Sequence, residues 1–415
     1  MKQNTTYKQT ELGLIPDDWE VKKFNKFSKF YSGGTPLTSK SEYYGGEIPF
    51  IKSGEIYYDR TEQFLTQEGL NNSSAKLVYR GDLLYALYGA NSGEVAISQL
   101  EGAINQAILC IQQNKDEAET IYLYNYLKLE KSNIINKFLQ GGQGNLSADI
   151  IKNLQIPLPP LLEQKKIADC LSTWDVAIEK QSALINALTD RKKALMQQLL
   201  TGKKRLPGFS GEWKEVKLGS ICENFQNGNA FSAKDYKKTG IPIVTMGNIN
   251  LGGYFYFSES KSNFWIEDKS LERYEIKKGD LIIAMTDVTP EKNLIGLTSI
   301  IDIDRIFYLN QRVGHIILKP KLADTDFIFY LSQNSYWRNQ CKAFATLGVQ
   351  ANLGTNDIKN INIKLPPIEE QTAIAEILAT ADRELQLQKE KLAQLQQQKK
   401  GLMQVLLTGK KRLIN

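Results

Sequence analysis

Two stretches decide how this chain folds. The first begins Leu158-Pro-Pro-Leu-Leu-Glu-Gln164 and runs on to Leu199-Leu-Thr-Gly-Lys-Lys-Arg-Leu206; the second begins Leu365-Pro-Pro-Ile-Glu-Glu-Gln371 and runs on to Leu406-Leu-Thr-Gly-Lys-Lys-Arg-Leu413. Set over one another at a constant offset they need no gap, and about half of their positions are identical. That is an internal repeat. In the first stretch Ile167, Leu171, Trp174, Ile178, Gln181, Ile185, Leu188, Lys192, Leu195 and Leu199 recur at alternating spacings of four and three. The second places Ile374, Leu378, Ala381, Leu385, Gln388, Leu392, Leu395, Lys399, Leu402 and Leu406 at the same spacings. A strict seven-residue period makes a coiled-coil seam rather than the broader stripe of a globular helix. Polar residues inside a seam lower stability and fix register, and here a Gln and a Lys fall at matching rungs of both copies. The matched rungs favour mutual pairing over two unrelated amphipathic helices. Proline suits a first helical turn, and Gly202 and Gly409 are placed to end the helices. Each rod is then about 60 Å long.

Outside the rods the pattern is β-rich, and it too occurs twice. From Trp19 onward come the turn Tyr31-Ser-Gly-Gly-Thr-Pro36, then Ile48-Pro-Phe-Ile-Lys-Ser-Gly-Glu-Ile56, then Gly81-Asp-Leu-Leu-Tyr-Ala-Leu-Tyr88 and Asn105-Gln106. Helical spacing predicts a helix over Ile121 to Phe138, and the loop Gly141-Gly-Gln-Gly-Asn-Leu146 follows. The same order returns as Trp213-Lys-Glu-Val-Lys-Leu218, Ile241-Pro-Ile-Val-Thr-Met-Gly-Asn-Ile249, Gly279-Asp-Leu-Ile-Ile-Ala-Met285, Asn310-Gln311 and Gly348-Val-Gln-Ala-Asn-Leu353. The expected fold class is α+β, a pseudo-two-fold tandem repeat. Two mixed α/β globular domains, 1–157 and 207–364, are joined by helices 158–206 and 365–415 forming an antiparallel coiled coil. Between landmarks the globular copies differ in length and content while the rods do not. A frame kept twice with a surface that varies suits a binding scaffold, although drift of loops on a tolerant fold also produces such variation.

The chain has 415 residues, 42% of them hydrophobic, enough for separate cores. No run approaches the roughly 18 to 20 apolar residues of a membrane span. The N-terminal stretch is too polar for a signal peptide, so the expected location is the cytoplasm. The four cysteines (Cys110, Cys170, Cys222, Cys341) are scattered, and His315 is the single histidine. That composition disfavours a structural zinc site or a Ser-His-Asp triad. A net charge of +6 permits a polyanionic partner without requiring one.

Gly-Gly-Thr-Pro36, the Ile48–Ile56 segment, the two Gly-Asp-Leu and Asn-Gln pairs, and Leu-Pro-Pro-x-x-Glu-Gln at Leu158 and Leu365 form an ordered set spanning nearly the whole chain twice. Together they resemble the specificity subunit of type I restriction-modification systems. The resemblance implies that each globular copy is a target recognition domain reading one half of a split site in double-stranded DNA. It implies further that the helices set the half-site spacing, and that the subunit docks two methyltransferase subunits and, through them, restriction subunits. The methyl donor, S-adenosylmethionine, and the chemistry at adenine N6 would belong to the partner, with no cofactor bound by this chain. One departure stands out: the second copy has Asn227-Gly-Asn-Ala-Phe-Ser232 in place of Gly-Gly-Thr-Pro.

The residues themselves argue against catalysis. The Asn/Asp-Pro-Pro-Tyr/Phe loop that holds a flipped adenine is absent, as is GxxxxGK[ST]. Glu275-Ile-Lys277 near Asp268 and Asp280 looks like a nuclease fragment, but it is short and lies in a charge-rich run, so chance explains it better. No catalytic or metal-binding residue is assigned.

Base recognition needs donors and acceptors at base edges, with Lys and Arg on phosphates. In the first domain the candidates are Lys52, Ser53, Tyr57, Tyr58 and Arg60, then Tyr88 and Asn91, then Gln143 and Asn145. In the second they are Thr245, Asn248, Asn250, Thr286, Gln350 and Asn352. Lys203, Lys204, Arg205 and their copies Lys410, Lys411, Arg412 either touch DNA or favour the helix C-terminal dipole. The alternative to a DNA-reading subunit is a protein-binding adaptor built on the coiled coil, which sequence-specific DNA capture separates from the first reading.

Overall fold

The computed structural model describes residues 6–138, 146–287, 291–345 and 351–413. These fall into two compact units, Met1–Ser182 with Glu390–Asn415, and Ala183–Lys389. In the first unit a four-stranded sheet runs in the order Ser28–Ser32, Ile108–Gln113, Leu83–Ala86, Val95–Ile97. A second runs Phe64–Leu65, Tyr44–Ile51, Gly102–Ile104, Lys76–Val78. The second unit repeats both orders: Cys222–Asn227, Val313–Leu318, Leu281–Ala284, Thr298–Ile300, and Phe264–Trp265, Ile241–Val244, Phe307–Leu309, Glu275–Ile276. Even the parallel pairing recurs, Phe50 with Ala103 in one unit and Ile243 with Tyr308 in the other. Tandem duplication of the globular segments is therefore visible in topology and not only in landmarks.

The landmarks have physical reasons. Gly81 and Gly279 take φ of 95° and 94°, a region that favours glycine. The following aspartates close the turn, Asp82 accepting from Tyr79 N at 2.9 Å and Asp280 from Lys277 N at 2.7 Å. Asn105 and Asn310 do the same for Ala107 N and Arg312 N. The divergent turn proves to be built alike. A Cβ at Gly33 would lie 1.7 Å from Ile104 O, and one at Gly228 2.1 Å from Asn310 O, so both glycines press on the same strand end. Gly34 N and Asn229 N then donate to the matching carbonyls of Ile104 and Leu309.

In each unit an entry strand pairs antiparallel with the exit strand, Glu20–Lys23 with Gln155–Leu158 and Lys214–Lys217 with Asn362–Leu365. The exit strands lead into helices Leu161–Leu199 and Ile368–Leu406, each of 39 residues. Pro159-Pro160 and Pro366-Pro367 precede the first turns, and Gly202 and Gly409, at φ 68° and 71°, terminate them. The two helices pack antiparallel. In the first unit Asp175 pairs with Lys399 at 2.5 Å and Glu163 with Arg412 at 2.6 Å, so one number falls as the other rises. In the second unit Lys192 pairs with Asp382 at 2.5 Å and Arg205 with Glu370 at 2.7 Å in the same sense. The expected seam positions are buried or half-buried throughout, including Trp174, Ile178, Ile185, Leu188, Leu195, Leu392, Leu395 and Leu402. Burial is complete where a globular core lies over the helices. Ile167 and Leu171 join the core of Trp19, Tyr122 and Leu406, and Ile374 and Leu378 join that of Phe327, Trp337 and Leu199.

The helix expected over Ile121 to Phe138 spans Thr120–Phe138. Its counterpart in the second unit is broken into Thr325–Leu331 and Ser335–Phe344. Asn334 causes the break: its side chain accepts from Tyr336 N at 2.8 Å and starts a new helix.

Candidate nucleic-acid interface

Glu55 organises the first reading loop. Its carboxylate accepts from Lys52 N at 3.0 Å, Thr61 Oγ1 at 3.1 Å and Glu62 N at 3.0 Å, which turns the chain through two tight bends between Lys52 and Tyr58. Lys52 and Ser53 are half-buried in this loop, whereas Tyr57, Tyr58 and Arg60 are exposed. Tyr88 and Asn91 come alongside. A side chain at Gly54 would meet the Asn91 amide at 3.5 Å, and Tyr88 donates to Gln106 O at 2.5 Å. These candidates therefore share one surface. Gln143 and Asn145 lie outside the described residues, but Leu146, just after them, donates from its N–H to Leu87 O at 2.9 Å beside Tyr88.

Thr35, Thr38, Gln63 and Asn105 gather with Lys52 around a cleft of about 320 Å³, a polar set that the sequence did not single out. They come from four separate segments: the parallel pairing of Tyr44–Ile51 with Gly102–Ile104 sets Lys52 beside Asn105, and backbone bonds from Phe50 N to Gln63 O and from Gly34 N to Ile104 O bring up the other two. The Tyr57 hydroxyl donates to Glu94, which also pairs with Lys131 from the helix Thr120–Phe138. Burial opposes charge on Glu94, yet hydrogen bonds from Lys131 and Tyr57 hold its carboxyl below the usual range. Burial, and then the hydrogen bond to Glu94, pushes the Tyr57 phenol well above its ordinary value.

In the second unit Thr245, Asn248 and Asn250 lie in one loop, and their side chains build it. Asn248 accepts from Thr245 N at 2.8 Å and donates to Tyr256 O at 2.9 Å. Asn250 accepts from Gly252 N at 2.8 Å and from Tyr254 N at 3.1 Å. Leu251, Tyr254 and Tyr256 of this loop are exposed. Thr286 is buried, its hydroxyl donating to Met246 Sδ at 3.1 Å, and it pairs across two short strands with exposed Asn352. Gln350 lies outside the described residues.

The basic clusters after the helices divide by residue. Arg412 grips Glu163 at 2.6 Å and Asp18 at 2.7 Å, and Arg205 grips Glu370 at 2.7 Å. Both arginines are thus tied within the chain, while Lys203, Lys204, Lys410 and Lys411 are exposed. The Glu-Gln pairs complete the clasp. Gln164 accepts from Glu119 N at 2.9 Å and donates to Glu117 O and Pro159 O, and Gln371 treats Asp324, Leu322 and Pro366 alike.

The carboxylates of the nuclease-like fragment have local work. Asp268 accepts from Ser270 N at 2.8 Å, Asp280 closes its turn, and Glu275 lies in a strand paired with Tyr308. His315 lies 3.6 Å from Asp280, and burial holds its imidazole below the ordinary value. Among the described residues no group of three or more His, Cys, Asp or Glu side chains could hold a metal ion. No helix among them is long and apolar enough to cross a membrane.

A doubled frame with variable loops and a paired-helix spine is the architecture of a recognition scaffold. The family model described as the type I restriction modification DNA specificity domain matches residues 16–190 and again 210–397, and the chain belongs to that family. A relative of full length is the type I restriction enzyme MjaVIII specificity subunit of Methanocaldococcus jannaschii. It is 28% identical over 414 residues, covering 97% of this chain and 95% of that protein. Among solved structures, the S subunit of a type I restriction-modification system from M. genitalium superposes with a TM-score of 0.58 at 15% identity, covering 98% of this chain and 97% of that one. A chain from a study of type I complex assembly and conformational transition gives a TM-score of 0.60 at 16% identity, covering 95% and 99%. At such identities the two superpositions establish the fold.

Proposed function

We propose that this chain reads DNA for a type I restriction-modification complex. Each globular segment recognises one half of an asymmetric bipartite site, and the helix pair sets the untouched spacer. Two methyltransferase subunits dock on the chain, and restriction subunits join through them. S-adenosylmethionine binds the methyltransferase, so the methyl transfer lies outside this polypeptide.

One observation carries this reading: the same frame occurs twice, with matching strand order and matching Glu–Arg and Gln clasps, while the loops it presents differ. Two unlike readers on one frame call for two unlike half-sites. Electrostatic attraction to phosphates supplies affinity, and groups on the Lys52–Arg60, Tyr88–Asn91 and Thr245–Tyr256 loops supply discrimination.

The test is to co-express the chain with its methyltransferase and to map methylated adenines by long-read sequencing, with and without the chain. A split motif that disappears with the chain supports the reading. Methylation independent of the chain, together with capture of proteins but no sequence-specific DNA, would establish the adaptor alternative instead.

A further inference from the structure

The candidate reading loops contain two tyrosines whose phenol oxygens are each tied to a lysine–carboxylate pair. In the first unit Tyr57 donates to Glu94, and Lys131 of the helix Thr120–Phe138 holds the other oxygen of that carboxylate. In the second unit Lys192, a seam residue of the first long helix, lies 2.5 Å from Asp382 and donates to Tyr254 Oη at 2.9 Å. Tyr330 donates to the other oxygen of Asp382 at 2.8 Å. The Lys192 ammonium also stands over the rings of Tyr254 and Tyr330, 5.5 and 5.6 Å from their centroids. An ammonium held between a carboxylate, a phenol oxygen and two aromatic faces is strongly constrained in position.

A backbone feature accompanies each tie. Gly93, beside Glu94, has φ +83°, and a Cβ there would meet Ile135 Cδ1 at 3.0 Å and Lys131 Cγ at 3.3 Å. Gly253, beside Tyr254, has φ +79°, and a Cβ there would meet Thr298 O at 2.9 Å and Phe329 Cε2 at 3.2 Å. A left-handed glycine thus lets the loop carrying Glu94 lie against the helix Thr120–Phe138, and lets the Tyr254 loop lie against Thr298 and Phe329. The two anchors are not copies of one another. Lys399, the rung matching Lys192, pairs with Asp175, and the helix position matching Tyr330 is Asn125, counted from the clasps that Gln164 and Gln371 make.

We propose that Tyr57 and Tyr254 are positioning residues: each ties its reading loop to a lysine–carboxylate pair, Glu94 beside the strand Val95–Ile97 with Lys131 of the helix Thr120–Phe138 in one unit and Lys192 with Asp382 of the long helices in the other, fixing the loop's placement rather than reading bases itself. This rests on the proposed DNA-reading function. It also explains why Asn248 and Asn250 are spent on the loop's internal shape, since a loop of fixed shape still needs a fixed seat.

The experiment uses the chain assembled with its methyltransferase and compares Tyr254→Phe, Tyr57→Phe, Lys192→Met and Lys192→Arg. Phenylalanine keeps the ring and its packing and removes only the tied oxygen. Amide exchange and the methylated motif are read on the same preparations. Tyr254→Phe should speed exchange in residues 245–256 on the order of tenfold and relax the base preference of one half-site, leaving the other half-site and residues 52–60 unchanged. Tyr57→Phe should do the converse. Lys192→Met should reproduce Tyr254→Phe, and Lys192→Arg should restore part of the lost preference. Unchanged exchange overturns the tie, and faster exchange with both half-sites intact overturns its role in recognition. A native complex with no split motif would instead overturn the function on which the inference rests.

Discussion

At the scale of single residues, the repeated frame is held by carboxylates taken out of water. Glu163 is 2% exposed, and it accepts from Arg412 and from the indole N–H of Trp19 at 3.2 Å. Removing one partner of a buried pair leaves the other charge unsolvated, which costs about 3 to 5 kcal/mol. Glu163→Ala should therefore lower the unfolding free energy on the order of 3 kcal/mol or more, measured by urea denaturation. Glu370→Ala should cost less, because the Arg205 side chain is 24% exposed, against 8% for Arg412, and can recover water. The same clasp predicts an acid response. A hydrogen bond from Arg412 holds the Asp18 carboxyl below its ordinary value of 3.8. A depressed carboxylate contributes stability above its unfolded value and loses it as pH falls through the folded one. Asp18→Asn should thus leave the melting temperature less sensitive to pH below about 4 than in the unsubstituted chain, with calorimetry across pH 2 to 6 as the check.

At the scale of elements, the two helices of 39 residues carry seams that match rung for rung. Antiparallel pairing sets Lys192 against Asp382 and Lys399 against Asp175, so each lysine rung meets a carboxylate of the other helix in this register. If the pair is a ruler, its length is a variable of the target. Four residues inserted into one helix would add roughly 6 Å, close to two base-pair steps. The insertion should widen the unread spacer and leave both half-sites as they were, which methylome sequencing resolves. Changed half-sites with a fixed spacer would refute the ruler. Such an insertion also shifts the heptad phase by a fraction of a turn, so some loss of stability is expected alongside.

At the scale of the whole molecule, duplication makes the globular segments interchangeable parts. Each enters and leaves through one antiparallel strand pair, Glu20–Lys23 with Gln155–Leu158 and Lys214–Lys217 with Asn362–Leu365. Substituting residues 24–154 for residues 218–361 would keep both pairs and present the first reader twice. The hybrid, expressed with the methyltransferase, should methylate a bipartite site whose halves are the same sequence in inverted orientation. Retention of the original asymmetric motif would show that the bases are read elsewhere than in these segments.

The amino-acid order by itself determined the repeat, the coiled-coil seam, the glycine stops and the family, because these depend on periodicity and on short-range backbone chemistry. Gly81, Gly279 and the paired seam ladders could be read from spacing alone, and so could the helix ending at Phe138. It did not determine which polar side chains remain available for DNA. Asn248 and Asn250 have the composition of base readers, yet their hydrogen bonds close their own loop, and Thr286 is buried against Met246. Arg205 and Arg412 look like phosphate ligands and are instead clasped by Glu370 and Glu163. The reason is physical. Whether a donor is free is settled by partners distant along the chain, such as Glu163 with Arg412, and only the packed fold brings those partners together.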